Sequence, residues 1–481
     1  MSTVVGSTEE PQSENVITQK DVSKEQVPTE NPNLSLEVDE ETLASKYLPI
    51  STGIMTPLTA VFMFFAVSAV AALYGIIYLG VLWDPLSHLN SLPFAYLNND
   101  RGFNFTGYEP YQSTVLKLTQ NQTFGEIGVN VLFKSNSSLA NLLGWVEIPS
   151  TMSESELNEQ LEKGDYWGYI YIPENFSNNF LSNLQNPKTH LANPNYQNMT
   201  VDFVHNQARQ ITISGMYSAA VNAGLEALSS QLANDLLNAA EKDTQNGYNA
   251  LLTTPRFISR PIHSRIVNIH PVPFLGLNFA TYISGLVLWI TGLVTVTLIF
   301  RTFVSNFDLI SHTYSQKLFR PRFILTAVVF GAFYTFLSTV VIYLLLLGLS
   351  GNTSFLQPNY NSFQLIMYLW LMSVTFTSTS ALLCSIMGVD YFAIVSSMFL
   401  ILQLATSSAI IEPVVMPSLG KIGYVFPFGY SVKALKCMFM GSMCNSMSMN
   451  IWVLFVWTGV TLLTTFVLVM TCVRRRIDKV V

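Results

Sequence analysis

The 481-residue chain has a formal net charge of −6, with half of its residues hydrophobic, 11% charged and a mean hydropathy of +0.36. Soluble domains hold about 25% charged residues, so an ordinary soluble globule is excluded as a description of the whole chain. No long basic stretch is present, which argues against nucleic acid as a partner.

From the N-terminus, residues 1–50 read as a disordered acidic cytosolic tail, with runs such as Glu37-Val38-Asp39-Glu40-Glu41. Residues 51–83 hold a signal-anchor. Its hydrophobic run, 58–82, is too long for a signal-peptide core, follows polar sequence, and stops at Trp83-Asp84-Pro85. Five more runs follow at 276–300, 323–349, 364–388, 391–411 and 451–473. Each is near the ~20 residues that cross a bilayer, and none carries a charge in its interior. The fourth and fifth of the six runs meet at Gly388-Val389-Asp390, read as a tight hairpin in preference to one broken helix. The expected fold class is a polytopic α-helical membrane protein of about six transmembrane helices. A large extracytoplasmic α/β domain at 84–275 precedes a five-helix membrane domain at 276–473 and a basic cytosolic tail at 474–481.

Within 84–275, Leu92 to Leu97 reads as a strand closed by the turn Asn98 to Gly102. Ser153 to Lys163 reads as a helix opened by the capping box Ser153-x-x-Glu156. Tyr166 to Ile172 and Thr200 to Val204 read as strands. Gln210 to Lys242 suits a long helix, on the spacing of Ala219, Ala220, Ala223, Leu225, Leu228, Leu232, Leu236 and Leu237. No cysteine lies in this block, so core burial must hold it together.

Positive charge marks the cytoplasmic side of a membrane. Arg301, Lys317, Arg320 and Arg322 in one connection, and Arg474, Arg475, Arg476 and Lys479 in the tail, fall on the same side of a six-span chain, with the N-terminus. The glycosylation sequons at Asn104, Asn121, Asn136, Asn175, Asn198 and Asn352 all fall on the other side; Asn33 falls in the cytosol and should be unused. The 412–450 stretch is placed outside although it carries Lys421, Lys433 and Lys436. Tyr430 to Met443 is read as a helix on the membrane surface, with Lys433 and Lys436 reaching the interface. An intact helix holds Cys437 and Cys444 roughly 10 Å apart, beyond the ~7 Å limit of a disulfide, so two free thiols are expected.

Chemistry-bearing motifs are few. The four cysteines, Cys384, Cys437, Cys444 and Cys472, form no CxxC or Cys/His cluster, and His205, His263 and His270 stand apart from acids, so no metal or cofactor is expected. Neither Gly-x-x-x-x-Gly-Lys-Ser/Thr nor Gly-x-Ser-x-Gly occurs, so the chain is read as no enzyme, with no catalytic residues. Any ATPase would be a separate subunit docking on 301–322, a connection that equally suits anionic lipid. Asp390 and Glu412 lie at helix ends rather than mid-membrane. The fourth run holds Ser373, Thr375, Thr377, Ser378, Thr379 and Ser380, and the fifth holds Gln403, Thr406, Ser407 and Ser408. Gln403, Thr377 and Ser378 are the candidates for a polar path, against the competing reading of close helix packing. The expected partners are membrane lipids, with a separate ATPase subunit or a second copy of the chain.

Two segments carry a resemblance. "SLPFAYLNNDRG" (91–102) resembles the opening of the outer domain in bacterial phage-infection-protein-type membrane proteins, and "GDYWGYIYIPENFS" (164–177) resembles that group's strand signature. The order of elements over 55–475 is similar to the fungal nitrosoguanidine-resistance membrane proteins, and 412–442 to the outer segment before the last span of type-2 ABC permeases. The resemblance implies a role in resistance to toxic compounds, by export or by altering lipid distribution. It implies the plasma membrane, with the endoplasmic reticulum membrane as the alternative. The competing reading is a structural or regulatory membrane protein whose outer domain binds a partner. No catalytic residues come with the resemblance.

Overall fold

The computed structural model describes residues 86–107, 119–134, 138–185, 199–242, 259–305, 316–350, 355–388, 391–407 and 411–480, with isolated positions between them. The tail 1–50 and nearly all of the run 58–82 lie outside the described residues. Residues 67–481 form one compact unit.

Near its N-terminal end this unit is a mixed five-stranded sheet. Its strands are β1 (Pro93–Asn98), β2 (Gly144–Glu147), β3 (Gly168–Ile172), β4 (Thr200–His205) and β5 (His263–Asn268), in the order β2-β1-β3-β4-β5. β1 runs parallel to β2 and β3, while β4 is antiparallel to β3 and parallel to β5. The inner strands are apolar on both faces because both faces are covered; Phe94, Ala95, Leu97, Tyr169 and Ile170 are fully buried. β2 and β5 escape a reading by periodicity. β2 is only four residues long, and β5 is a largely exposed edge rich in polar residues.

Five helices dress the sheet: α1 (Phe124–Val129), which continues into a wider turn at Asn130–Lys134, α2 (Ser138–Leu142), α3 (Glu154–Lys163), α4 (Phe176–Gln185) and α5 (Ile211–Lys242). The capping box of α3 is formed: Ser153 accepts from the Glu156 amide and Glu156 from the Ser153 amide, while Gly164 closes the helix at φ +89°. Leu157 and Leu161 of α3 pack on Ala95, Leu97, Tyr169 and Val204. The opposite face is covered by α5 through Ile213, Tyr217, Val221, Leu225, Leu228, Leu232 and Leu236. The buried stripe starts earlier than the leucines suggest; Ala219 and Ala223 face outward and Leu237 is exposed.

The two segments that carry the resemblance form one structural unit. β1 and β3 lie side by side, and Asp100 ties their ends together. Its carboxylate accepts from the backbone amides of Gly102, Gly125 and Ser177 and from the Ser177 hydroxyl. Two of those amides lie in the first turns of α1 and α4, where a carboxylate is favoured.

Below the sheet layer lies the helix block: α6 (Leu275–Ser305), α7 (Gln316–Ser350), α8 (Ser362–Met387), α9 (Phe392–Thr406), α10 (Pro427–Met440) and α11 (Met447–Val480). Among the described residues, four helices are long and apolar enough to cross a membrane, within α6, α7, α8 and α11. α8 is central: 56% of its membrane-length stretch is buried inside the protein, against 17% for α7 and 11% for α11. The run read as a fifth long span, 391–411, yields only the 15 residues of α9, about 22 Å at 1.5 Å per residue and short of a ~30 Å hydrocarbon core. α8 and α9 form the expected hairpin around Gly388, held at φ +83°; Asp390 is outside the described residues. α11 continues through the basic residues 474–476 to Val480, so the stretch read as a tail begins as helix.

The 412–450 stretch departs most from expectation. α10 is not a surface helix. It is largely buried between the sheet layer and the other helices, with Val432, Ala434, Leu435 and Lys436 at 1% exposure or less and only Tyr430 and Lys433 partly exposed. Lys436 therefore does not reach an interface, and Lys433, partly exposed, is turned to Glu412. α10 also ends at Met440, where Gly441 takes φ +71° and Met443 φ +61°. That turn folds the chain back and brings the Cα atoms of Cys437 and Cys444 to 5.0 Å, and the two form a disulfide. The expectation of free thiols assumed an unbroken helix, and the left-handed glycine breaks it.

Candidate functional site

The polar residues of the spans separate into two sets. On one face of α8, Thr375 bonds Thr458 at 2.7 Å, Ser378 bonds Thr461 at 2.8 Å, and the Trp457 indole donates to Thr379 at 2.9 Å. These are interhelical bonds to α11, and Ser378, one of the three polar-path candidates, makes one of them. On the opposite face, Ser373, Thr377 and Ser380 recur at i, i+4 and i+7, the same side of the helix. All three hydroxyls are buried without a hydrogen-bond partner. This face lies against α6, where a Cβ at Gly292 would meet Thr377 Oγ1 at 2.7 Å.

α9 completes the seam. Ser396, Leu400 and Gln403 share one face, and Ser396 Oγ accepts from Trp289 Nε1 of α6 at 3.1 Å. Gln403 is fully buried and neither its Oε1 nor its Nε2 has a partner. Seven residues place Gln403 about 10 Å above Ser396, toward the sheet layer and one turn from the end of α9. Thr377 sits at the level of Gly292, about 4.5 Å below Trp289. The polar groups thus stand on both sides of an aromatic plug. Trp289 lies between Phe376 at 5.3 Å and Phe399 at 5.8 Å, and these rings contact Phe428 and Phe426.

A second cluster joins the sheet layer to the helices. The 3-10 turn Gln207–Arg209 reaches down after β4 and inserts Ala208 into the core of the helix block. Lys436 Nζ of α10 donates to the Arg209 carbonyl at 2.7 Å, and Ser442 Oγ to Asn206 Oδ1 at 3.2 Å. The Arg209 guanidinium stacks 3.9 Å over Trp167 and donates to the carbonyls of Gly164 and Tyr166. Lys433 pairs with Glu412 at 3.3 Å. Burial pushes the Lys436 ammonium down to about 8, opposed by Glu412 and reinforced by Lys433 and Arg209. Nearby, burial lowers His205 to about 4; its Nδ1 lies 3.1 Å from Ser214 Oγ and 3.3 Å from Tyr217 Oη. No signal short of the fold reveals this joint, because its members come from positions as far apart as 206 and 442.

Asn104, Asn121 and Asn175 are exposed, while Asn136, Asn198 and Asn352 lie outside the described residues. Among the described residues no group of three or more His, Cys, Asp or Glu could hold a metal ion. The model of one family, described as "Protein of unknown function (DUF3533)", matches residues 61–463. No curated protein and no solved structure matches the chain.

Proposed function

Because the chain belongs to the DUF3533 family, which it matches over most of its length, we propose from its own chemistry that it is a polytopic membrane protein that moves toxic compounds, or the lipids that govern their entry, across a bilayer. The observation that carries this reading is Gln403, buried with no partner for either amide atom in a helix block suited to a membrane. An amide in hydrocarbon costs several kcal/mol unless something satisfies it. A polar ligand, or water accompanying one, supplies that partner. The seam also ends one turn from the sheet side, which suits entry from there. Energy comes from a gradient or a separate ATPase subunit, since the chain has no phosphate-binding loop.

In this reading the sheet layer faces outside, and both termini and the basic ends of α6, α7 and α11 face the cytosol of a cell whose plasma membrane holds the protein. The Cys437–Cys444 disulfide supports that side for the sheet layer, because disulfides persist in oxidising compartments. The non-transporting alternative, a partner-binding outer domain, draws on exposed Val146 and Ile266 at the two edges of the sheet. Vesicles reconstituted with the purified chain test the choice. Transbilayer movement of a fluorescent lipid or toxic cation faster than in protein-free vesicles is the expected result; rates equal to the empty control refute transport by the chain alone.

A further inference from the structure

The chemistry of the seam says what kind of group it takes. Every unpartnered group in it is neutral: the hydroxyls of Ser373, Thr377 and Ser380 and the carboxamide of Gln403. Between Leu275 and Phe300, along α8, and along α9 there is no Asp, Glu, Lys or Arg to pair with a full charge. Gln403 offers one acceptor and two donors, and each hydroxyl offers one donor and two lone pairs. A buried net charge would stay uncompensated here and is rejected by desolvation. A group with no net charge that accepts hydrogen bonds, or both donates and accepts them, is matched.

We propose that the seam between α6, α8 and α9 is a binding site for an uncharged or zwitterionic hydrogen-bonding group, received at Gln403 and held apart from Thr377 and Ser380 by the Trp289 plug. The proposal rests on the transport reading above and specifies its substrate class. The plug makes the site two-sided. A group bound at Gln403 meets the sheet side. One that reaches Thr377 and Ser380 has passed Trp289, whose indole is held in place by Ser396. The group has two sources, a lipid headgroup or a free polar solute.

The test uses the full chain in vesicles, in wild-type form and as Gln403→Leu and Gln403→Asn. Leucine nearly matches the volume of glutamine and removes an unpartnered amide, so Gln403→Leu folds at least as stably as wild type, checked by its melting temperature. Fluorescent lipids with choline, sugar and serine headgroups are compared for movement between leaflets. Binding of short-chain forms of the same lipids, and of free glycerophosphocholine, a zwitterion with no net charge, is measured on the delipidated protein by native mass spectrometry. The expected result is binding and movement of the choline and sugar lipids. Gln403→Leu cuts both by tenfold or more, Gln403→Asn retains part, and the net-anionic serine lipid moves at the background rate. Binding of free glycerophosphocholine that Gln403→Leu abolishes supports the site with a solute as its source; binding of the lipids alone supports a headgroup. Serine lipid bound and moved as well as choline lipid overturns the substrate class and leaves transport standing. Binding unchanged by Gln403→Leu overturns the site. Binding that depends on Gln403 without any movement supports the site and overturns transport, and absence of both overturns both.

Discussion

Removing the Asp100 carboxylate should unfold the sheet layer more readily than any other single polar change in it. Asp100→Ala deletes the acceptor of three backbone amides, those of Gly102, Gly125 and Ser177, and of the Ser177 hydroxyl, at 2.5–3.2 Å. Hydrogen bonds to a charged group contribute about 1.5–3 kcal/mol each, and they are not additive where they share one carboxylate. All three residues are buried, two of them at the starts of α1 and α4, so the orphaned amides recover only some solvation. A loss of about 3–5 kcal/mol follows, near the top of the range for single substitutions. Asp100→Asn keeps one acceptor oxygen and turns an amino group toward Gly125 or Ser177, so it should cost roughly half as much. Ser177→Ala removes the shared hydroxyl and should cost about 1–2 kcal/mol. The assay is denaturant unfolding of the purified chain followed by tryptophan fluorescence, since Trp145 and Trp167 lie in this layer. The double mutant Asp100→Ala/Ser177→Ala should lose less than the sum of the two singles. A loss below 1 kcal/mol for Asp100→Ala, or strict additivity in the double mutant, would refute the view that this carboxylate holds the two segments together.

Other outcomes follow from the joint and the seam. Cys437 and Cys444 should accept a thiol label only after reduction, and Cys437→Ser/Cys444→Ser should destabilise by about 2.5 kcal/mol, the chain-entropy value for closing eight residues; label uptake without reductant contradicts the bridge. His205 is held neutral by burial, with its pKa lowered from 6.5 to about 4, so the unfolded chain binds more protons between those values. Stability is therefore full above pH 6.5 and falls as the pH drops toward 4, by about 3 kcal/mol in total; unfolding at pH 4.5 and 7 should show that slope, and His205→Leu should flatten it. Gly292→Ala puts a methyl group 2.7 Å from Thr377 Oγ1 and 3.2 Å from its backbone. It should lower the melting temperature by several degrees for about 1–3 kcal/mol of overpacking, whereas an unchanged value shows that α6 and α8 do not approach so closely.

Several features were legible in the residues alone, and each depends on near neighbours in the chain. The hydrophobic runs of α6, α7, α8 and α11 show as length and composition. The capping box at Ser153 and Glu156 and the strands β1, β3 and β4 show as spacing within a few positions. Local free energy terms set them: the hydrogen-bond demand of a backbone in hydrocarbon, and the periods of helix and strand. Only the tertiary structure decided which polar groups find partners. Ser378 and Gln403 look alike as polar residues in apolar runs, yet one bonds Thr461 across to α11 and the other faces a seam without a partner. Lys436 reads as an interfacial cation until the Arg209 carbonyl, more than two hundred residues earlier, is seen to receive it. Cys437 and Cys444 read as separate thiols until Gly441 turns the chain through a left-handed conformation. Satisfaction of a buried polar group depends on which distant atoms come within about 3 Å of it, and a one-dimensional pattern carries no such distance.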